Sequence, residues 1–339
     1  MDPKKALKNI QAGKPEPVYL CYGPEKYRRR AFIQALSDSL IEPEQREFAV
    51  SKFDLSETSL DSVLEDAETL PFMVPRKLII ASNALFFTGA KERTKIEQPI
   101  DKLLDYLKSP VDYTVIVFTV DADKLDERKK IVKLLKDRDA ALPFLSLNPE
   151  ELQTWVYKQA QNLGFSFSNE ALEQIILYTG GDLQALSAEI EKISLYVGES
   201  GVASCEVVDQ LVARSTEQNV FILIEDIVQL RLERAFVILE DLFMQREEPI
   251  KILMLIARQF RIIWQVKELV RQGYSHAQIA SQIGLHPFAV KIAEGQAKKY
   301  DNAKLGQIIA QLADLDFQMK SGRIDKVLGL ELFLLKLAA

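Results

Sequence analysis

The stretch Thr114-Val115-Ile116-Val117-Phe118 places apolar side chains on both faces of a β-strand. Such a strand belongs in the interior of a mostly parallel sheet that is covered on both sides, because neither of its faces suits water. Runs rich in β-branched or aromatic residues predict further strands at 18–22, 48–53, 77–81 and 142–147. Helical periods fall between the strands, at about 26–40, 59–66, 97–107 and 124–136. This alternation predicts an α/β domain over residues 1–147.

The pattern becomes purely helical at Asn148-Pro149-Glu150. Asparagine is a good N-cap, and proline suits the first position of a helix. Helices are predicted at 149–163, 168–179, 182–196 and 205–213, with Gly180-Gly181 ending the second and Asp182 capping the third. These form a small helical domain at 148–213. About seven more helical segments predict a larger helical domain at 214–339.

Composition narrows the class of protein. The chain has 339 residues, 47% of them hydrophobic, with a formal net charge of −6, so it has no overall electrostatic attraction to a phosphate backbone. Cys21 and Cys205 lie far apart, which predicts reduced thiols and neither a disulfide framework nor a metal site. We see neither a signal peptide nor a membrane-spanning segment, and we therefore expect a cytoplasmic protein without cofactor or metal.

Gly23-Pro24-Glu25 stands where a nucleotide-binding α/β domain would carry its phosphate loop. The Walker A pattern is G-x-x-x-x-G-K-S/T, and the second glycine and the Lys-Ser/Thr pair are missing here. Glu25 would also bring a carboxylate to the place of a phosphate. We interpret the segment as a degenerate phosphate loop that does not bind nucleotide and carries no ATPase chemistry.

A basic run follows at Lys26, Arg28, Arg29 and Arg30. The ordinary interpretation is a solvated helix face, and the alternative is a contact with DNA or with another subunit. The sequence does not separate the two.

The segment Leu70-Pro71-Phe72-Met73 predicts an irregular, protruding turn, because Pro71 and Pro75 block both a regular helix and an inner strand. Its apolar side chains either tuck under the sheet as core or form a hydrophobic plug for a partner's pocket.

Residues 275–290 have the spacing of a helix-turn-helix, with Gly284 at the turn and Leu285 and Val290 at core positions. The second helix would begin with His286-Pro287-Phe288, which lacks side chains that read base edges, so packing within a bundle is favoured.

Candidate catalytic groups are few. His276 and His286 have no recognisable nucleophile nearby, and Asp121, Asp123 and Asp126 are expected to cap the helix that follows them.

Four segments, taken in order, carry a resemblance that runs over essentially the whole chain. They are Val18-Tyr19-Leu20-Cys21-Tyr22-Gly23-Pro24-Glu25, Thr179-Gly180-Gly181-Asp182-Leu183, Leu285-His286-Pro287-Phe288-Ala289-Val290 and Lys320-Ser321-Gly322-Arg323-Ile324-Asp325. With them the chain resembles the delta subunit of the bacterial DNA polymerase III clamp loader. The resemblance implies an AAA+-like α/β domain, a helical lid and a helical collar that holds a five-subunit ring, without ATP hydrolysis by this subunit.

The resemblance also implies partners and a site. The partners are the sliding clamp (the beta subunit), the delta-prime and gamma/tau ATPase subunits, and primer-template DNA within the complex. Residues 67–72 resemble the element that inserts a hydrophobic pair into the clamp, with Leu70 and Phe72 as anchors, although this chain lacks the usual glutamine and places Pro71 between them. The alternatives are a helix-turn-helix DNA-binding regulator and an AAA+ NTPase.

Overall fold

A computed structural model describes residues 3–90 and 96–338 of the chain. Contacts between residues divide the chain into two compact units, Met1–Ser146 and Leu147–Ala339. The first is an α/β unit and the second is helical, as the sequence predicts.

The first unit is built on one parallel sheet. Its strands are β1 (Val18–Tyr22), β2 (Val50–Asp54), β3 (Lys77–Ser82), β4 (Thr114–Val120) and β5 (Ala141–Pro143). Their order across the sheet is β2-β3-β4-β1-β5, and each neighbouring pair is parallel. All seven residues of β4 are buried, which confirms the prediction of a central, doubly covered strand.

Two hydrophobic clusters cover the two faces of this sheet. Ile116 and Phe118 belong to one cluster and Val115 and Val117 to the other, as the alternation of side chains along a strand requires. The helices of the unit are α1 (Pro3–Gln11), α2 (Lys26–Leu40), α3 (Arg46–Ala49), α4 (Leu60–Glu68), α5 (Ile100–Tyr106) and α6 (Lys130–Asp137). Helices α1 and α2 pack on the Val117 face, and α4, α5 and α6 pack on the Phe118 face.

Several boundaries differ from the sequence prediction. Strand β2 begins at Val50 because α3 takes up residues 46–49, which leaves Phe48 exposed on a short helix. Strand β5 is only three residues long. Helix α5 begins late because Pro99 is its N-cap and Gln98 is held by hydrogen bonds to the 55–60 loop. Helix α6 begins at Lys130, since residues 121–129 form a loop.

The second unit is helical apart from a two-residue parallel pair, β6 (Ser166–Phe167) with β7 (Val202–Ala203), which the sequence did not predict. Its first helices are α7 (Pro149–Asn162), α8 (Asn169–Thr179), α9 (Leu183–Val197) and α10 (Cys205–Leu211). The remaining helices are α11 (Thr216–Val228), α12 (Leu232–Met244), α13 (Pro249–Arg271), α14 (His276–Ile283), α15 (Pro287–Ala297), α16 (Asn302–Lys320) and α17 (Lys326–Ala338).

Capping residues fix several of these helix ends as predicted. Asn148 and Glu151 form a capping box at the start of α7. Gly180 ends α8 in the left-handed conformation, and the Asp182 side chain accepts a hydrogen bond from the amide of Ala185 at 2.8 Å. The division of this unit into two domains at residue 213 stays a prediction.

Candidate functional site

The turn at residues 69–76 joins α4 to β3 and contains no regular secondary structure. Three of its large side chains face solvent, with exposed fractions of 76% for Leu70, 74% for Phe72 and 84% for Met73. Val74 instead packs against the core cluster of the Val117 face. The interpretation of Leu70 and Phe72 as ordinary core is therefore wrong.

The backbone of this turn is constrained. Pro71 fixes its own φ near −65°, as does Pro75. Met73, which lies between the prolines, has φ +56°, in the left-handed region that costs an ordinary residue roughly 1–2 kcal/mol. A strained residue beside exposed apolar side chains is typical of a binding element.

The amides of the phosphate-loop segment are already engaged within the chain. The amide of Gly23 donates to the Val120 carbonyl at 3.1 Å, and that of Glu25 donates to the Phe144 carbonyl at 3.0 Å. Glu25 is the N-cap of α2, and its carboxylate accepts from the amide of Tyr27 at 3.2 Å. The backbone amides of Gly23, Glu25 and Tyr27 thus bond to the protein itself.

The basic run separates into two pairs. Arg29 is only 8% exposed, and its guanidinium donates to the Gly23 carbonyl at 2.8 Å and to Asp121 at 2.5 Å. Lys26 also pairs with Asp121, at 2.9 Å. Arg28 is half-buried and Arg30 is exposed. The solvated-face interpretation is therefore wrong for Arg29, and both interpretations stay open for Arg28 and Arg30.

Asp121 does not cap the next helix, which corrects the expectation from sequence. Helix α6 has Lys129 at its N-cap, so Asp123 and Asp126 do not cap it either. Burial raises the pKa of Asp121, but hydrogen bonds from Lys26 and Arg29 outweigh that effect and leave the pKa below its usual value. Asp126 bonds to Arg128, which lowers its pKa to about 2.

The histidines have structural roles in the second unit. His276 pairs with Glu294 at 2.7 Å. His286 caps α15 by accepting from the amide of Phe288 at 3.2 Å, and burial lowers its pKa.

The start of α15 is buried, because Pro287 and Phe288 lie within the unit while Lys291 is exposed. Val290 and Ala293 pack with Val266, Ile279 and Ala280 in one hydrophobic cluster. Side chains that read DNA must reach a groove, so this burial supports packing within the bundle over base recognition.

Within residues 3–90 and 96–338, no group of three or more His, Cys, Asp or Glu is placed to hold a metal ion. None of the helices in that part of the chain has the length and apolar character that a membrane crossing requires.

The sheet and the loop together define a class of protein. A five-stranded parallel sheet in the order β2-β3-β4-β1-β5, followed by helical segments, is an AAA+-like architecture. In this chain the phosphate-loop segment has lost the Walker A pattern, and its amides bond to the protein itself.

Comparison with known proteins gives the family. The family model for the DNA polymerase III delta subunit matches residues 19–145, and the model for its C-terminal domain matches residues 217–337. A third model, described as a middle domain, matches residues 148–210. The chain belongs to the family of DNA polymerase III delta subunits.

Similar proteins cover nearly the whole chain. DNA polymerase III subunit delta of Bacillus subtilis (strain 168) is 41% identical over 330 residues, which are 97% of this chain and 95% of that protein. A probable DNA polymerase III subunit delta of Aquifex aeolicus is 22% identical over 304 residues, 89% of this chain and 85% of that protein. The solved structure of the Bacillus subtilis DNA clamp loader delta protein matches with a TM-score of 0.81 and 40% identity over 99% of both chains.

Proposed function

We propose that this chain is a clamp-loader subunit that binds and opens the ring-shaped sliding clamp during DNA replication, and that it does so without hydrolysing ATP. The observation that carries the proposal is the turn at residues 69–76, where Leu70, Phe72 and Met73 are each at least 74% exposed. The solved relative from Bacillus subtilis is a DNA clamp loader delta protein, which supports the proposal.

Leu70, Pro71, Phe72 and Met73 form the clamp-binding element. Large apolar anchors that fill a partner's pocket supply most of the binding energy of an interface, while the surrounding contacts mainly exclude water. The exposed state of these side chains in the isolated chain means that docking need not first extract them from a core.

Opening of the clamp follows from differential binding. A ligand shifts an equilibrium only by the difference in its affinity for the two states. The turn anchors the chain to the clamp, and neighbouring contacts of the α/β unit hold the open interface more tightly than the closed one.

The chain carries no chemistry of its own, although it works within a DNA polymerase holoenzyme. The loop at Gly23, Pro24 and Glu25 lacks the lysine and hydroxyl of Walker A, and its amides already bond within the protein. The Glu25 carboxylate at the start of α2 repels a phosphate there. These features of the loop weigh against the AAA+ NTPase alternative. Nucleotide binding and hydrolysis therefore fall to other subunits.

The partners follow from the family. The segment 214–339 acts as the collar that joins the delta-prime and gamma/tau ATPase subunits, with residues 148–213 as the lid and 1–147 as the AAA+-like domain. The chain contacts primer-template DNA as part of that complex. Within the basic run, Arg28 and Arg30 are the better candidates for a contact with DNA or a subunit, because Lys26 and Arg29 pair with Asp121. We also propose that the chain acts in the cytoplasm.

The test is surface-plasmon binding of the chain to the sliding clamp of the same organism, without nucleotide. We expect the double variant Leu70→Ala/Phe72→Ala to weaken binding by at least about 2 kcal/mol, roughly 30-fold, as is usual for paired anchors. Phe48→Ala is the matched control, since Phe48 is 71% exposed in the same unit but lies on α3. If Phe48→Ala weakens binding as much as the double variant does, the site is misplaced.

The same assay decides how much Met73 adds. Met73→Asn removes the apolar side chain but keeps a residue that tolerates the left-handed backbone. We expect a loss of about tenfold if Met73 enters the pocket beside Phe72. Binding equal to that of the wild type would restrict the anchors to Leu70 and Phe72.

A further inference from the structure

The exposed turn at residues 69–76 starts from a helix end at which every backbone carbonyl is bonded. The last four carbonyls of an α-helix have no partner within the helix. In α4 these are the carbonyls of Glu65, Asp66, Ala67 and Glu68. The amide of Thr69 donates to the carbonyls of Glu65 and Asp66, and its hydroxyl also donates to the Glu65 carbonyl at 2.7 Å.

Three side chains from outside the helix complete this set. Lys77 donates its ammonium to the Asp66 carbonyl. Thr114 donates its hydroxyl to the Ala67 carbonyl at 2.8 Å. Tyr113 donates its hydroxyl to the Glu68 carbonyl at 2.7 Å. Each therefore holds one of the last three residues before the turn.

Lys77 also ties the exit of the turn to its entry. It is the first residue of β3, and its ammonium lies 3.1 Å from the Asp66 carboxylate at the end of α4. Its amide donates to the Tyr113 carbonyl at 2.8 Å. Lys77 is 6% exposed, and a buried ammonium is retained only where such partners compensate its lost hydration.

We propose that Lys77, Tyr113 and Thr114 are positioning residues that hold the clamp-binding turn in one conformation before the clamp arrives. This inference rests on the proposed function. Lys77 and Thr114 are 6% and 1% exposed, so neither can contact a partner, and any effect they have on binding passes through the turn.

The advantage is one of preorganisation. An eight-residue turn with free ends samples many conformations, and each residue that binding must order opposes association. If only a fraction of the molecules holds the turn ready, the apparent dissociation constant rises by the inverse of that fraction.

The decisive variant is Thr114→Val, which keeps the shape of the side chain and removes the hydroxyl that Ala67 needs. Thr114→Ser restores the hydroxyl. Thr119→Val is the matched control, because Thr119 is also buried on β4 but lies five residues away, about 16 Å along the strand. Two measurements are made on the full chain: hydrogen–deuterium exchange of the Thr69 and Lys77 amides, which are hydrogen-bonded at the two ends of the turn, and clamp binding by surface plasmon resonance.

We expect Thr114→Val to speed exchange of the Thr69 and Lys77 amides about fivefold and to weaken clamp binding by a similar factor, as loss of one buried hydrogen bond implies. The loss should fall mainly on the association rate. Thr114→Ser should restore both measurements, and Thr119→Val should leave both unchanged.

Unchanged exchange of the Thr69 and Lys77 amides in Thr114→Val would overturn the inference, and so would faster exchange with undiminished clamp binding. Wild-type protein that fails to bind the clamp would instead overturn the proposed function. The exchange experiment needs no partner, so it would still decide whether these residues hold the turn.

Discussion

At the scale of single residues, the phosphate-loop region is held together by one buried cation. The Arg29 guanidinium donates hydrogen bonds to the Gly23 carbonyl and to Asp121, and the Glu25 carboxylate accepts one from the amide of Tyr27. The missing Walker A residues could be read directly from the sequence. The pairing of Arg29 with Asp121 could not, because the two residues lie 92 positions apart and meet only when β1 and β4 become neighbours.

Arg29→Met is expected to lower the free energy of unfolding by about 1–2 kcal/mol at pH 7, because it removes the guanidinium from the Gly23 carbonyl and leaves the Asp121 carboxylate with Lys26 alone. The Asp121 side chain is 47% exposed, so water compensates part of the loss. Urea unfolding followed by circular dichroism measures it. Arg30→Met, at an exposed neighbour, should change stability by less than about 0.5 kcal/mol.

The loss in free energy of unfolding caused by Arg29→Met should also depend on pH. The pKa of Asp121 is lowered in the folded chain, so its ion pairs stabilise the fold above the unfolded pKa of about 3.9 and lose that effect as the pH falls through the folded value. The difference between the variant and the wild type should therefore shrink progressively as the pH falls below about 5. A constant difference over that range would point to lost packing rather than lost charge pairing.

At the scale of elements, sequence predicted helices best where a capping residue marks their ends. Asn148, Gly180 and Asp182 each stand where the pattern placed them. Strand ends were harder, because β5 pairs over only three residues and nothing local in 141–147 says where its neighbour stops. The positioning residues Tyr113 and Thr114 were missed for a related reason. Thr114 is predicted as an ordinary strand residue and Tyr113 lies just before that strand, and only their position beside α4 lets them bond to its carbonyls.

The junction of α8 with α9 offers a test of a close contact between elements. A Cβ on Gly181 would lie 2.7 Å from Nδ1 of His286, the N-cap of α15, whereas a Cβ on Gly180 would meet nothing within 4 Å. Both glycines have positive φ. Gly180→Ala should cost about 1 kcal/mol for the left-handed backbone, and Gly181→Ala about 1 kcal/mol more for the displaced ring. Thermal unfolding of the two variants measures the difference.

The two alanines restrict the unfolded chain equally, so that effect cancels in the comparison. Equal destabilisation by the two substitutions would mean that the His286 ring moves aside without loss.

At the scale of the whole molecule, the chain is two compact units, and the turn at residues 69–76 lies within Met1–Ser146, as do Lys77, Tyr113 and Thr114. That unit has a hydrophobic cluster on each face of its sheet, which is what an independently folding domain needs. The separation was visible in the sequence as the change of pattern at Asn148. Which surface of the helical unit meets which subunit depends on a partner chain, so it was not predictable from this sequence.

We therefore expect fragment 1–146 to unfold cooperatively and to bind the clamp within about threefold of the full chain, since hot-spot anchors dominate such interfaces. Fragment 147–339 should not bind the clamp but should co-elute with the ATPase subunits of the same organism. Circular-dichroism melting establishes folding, and surface plasmon resonance measures binding. A folded fragment 1–146 that binds more than tenfold weaker than the full chain would show that the helical unit takes part in docking.

Gly23 bears on how such chains are recognised in genomes. Its φ is +126°, and a Cβ there would lie 2.1 Å from the carbonyl oxygen of Phe144. The close approach of the Phe144 carbonyl, just after β5, therefore requires a glycine at this position. That requirement holds whether or not the loop binds a nucleotide. The presence of this glycine in a sequence is consequently not by itself evidence that the chain binds ATP or that its ancestors did.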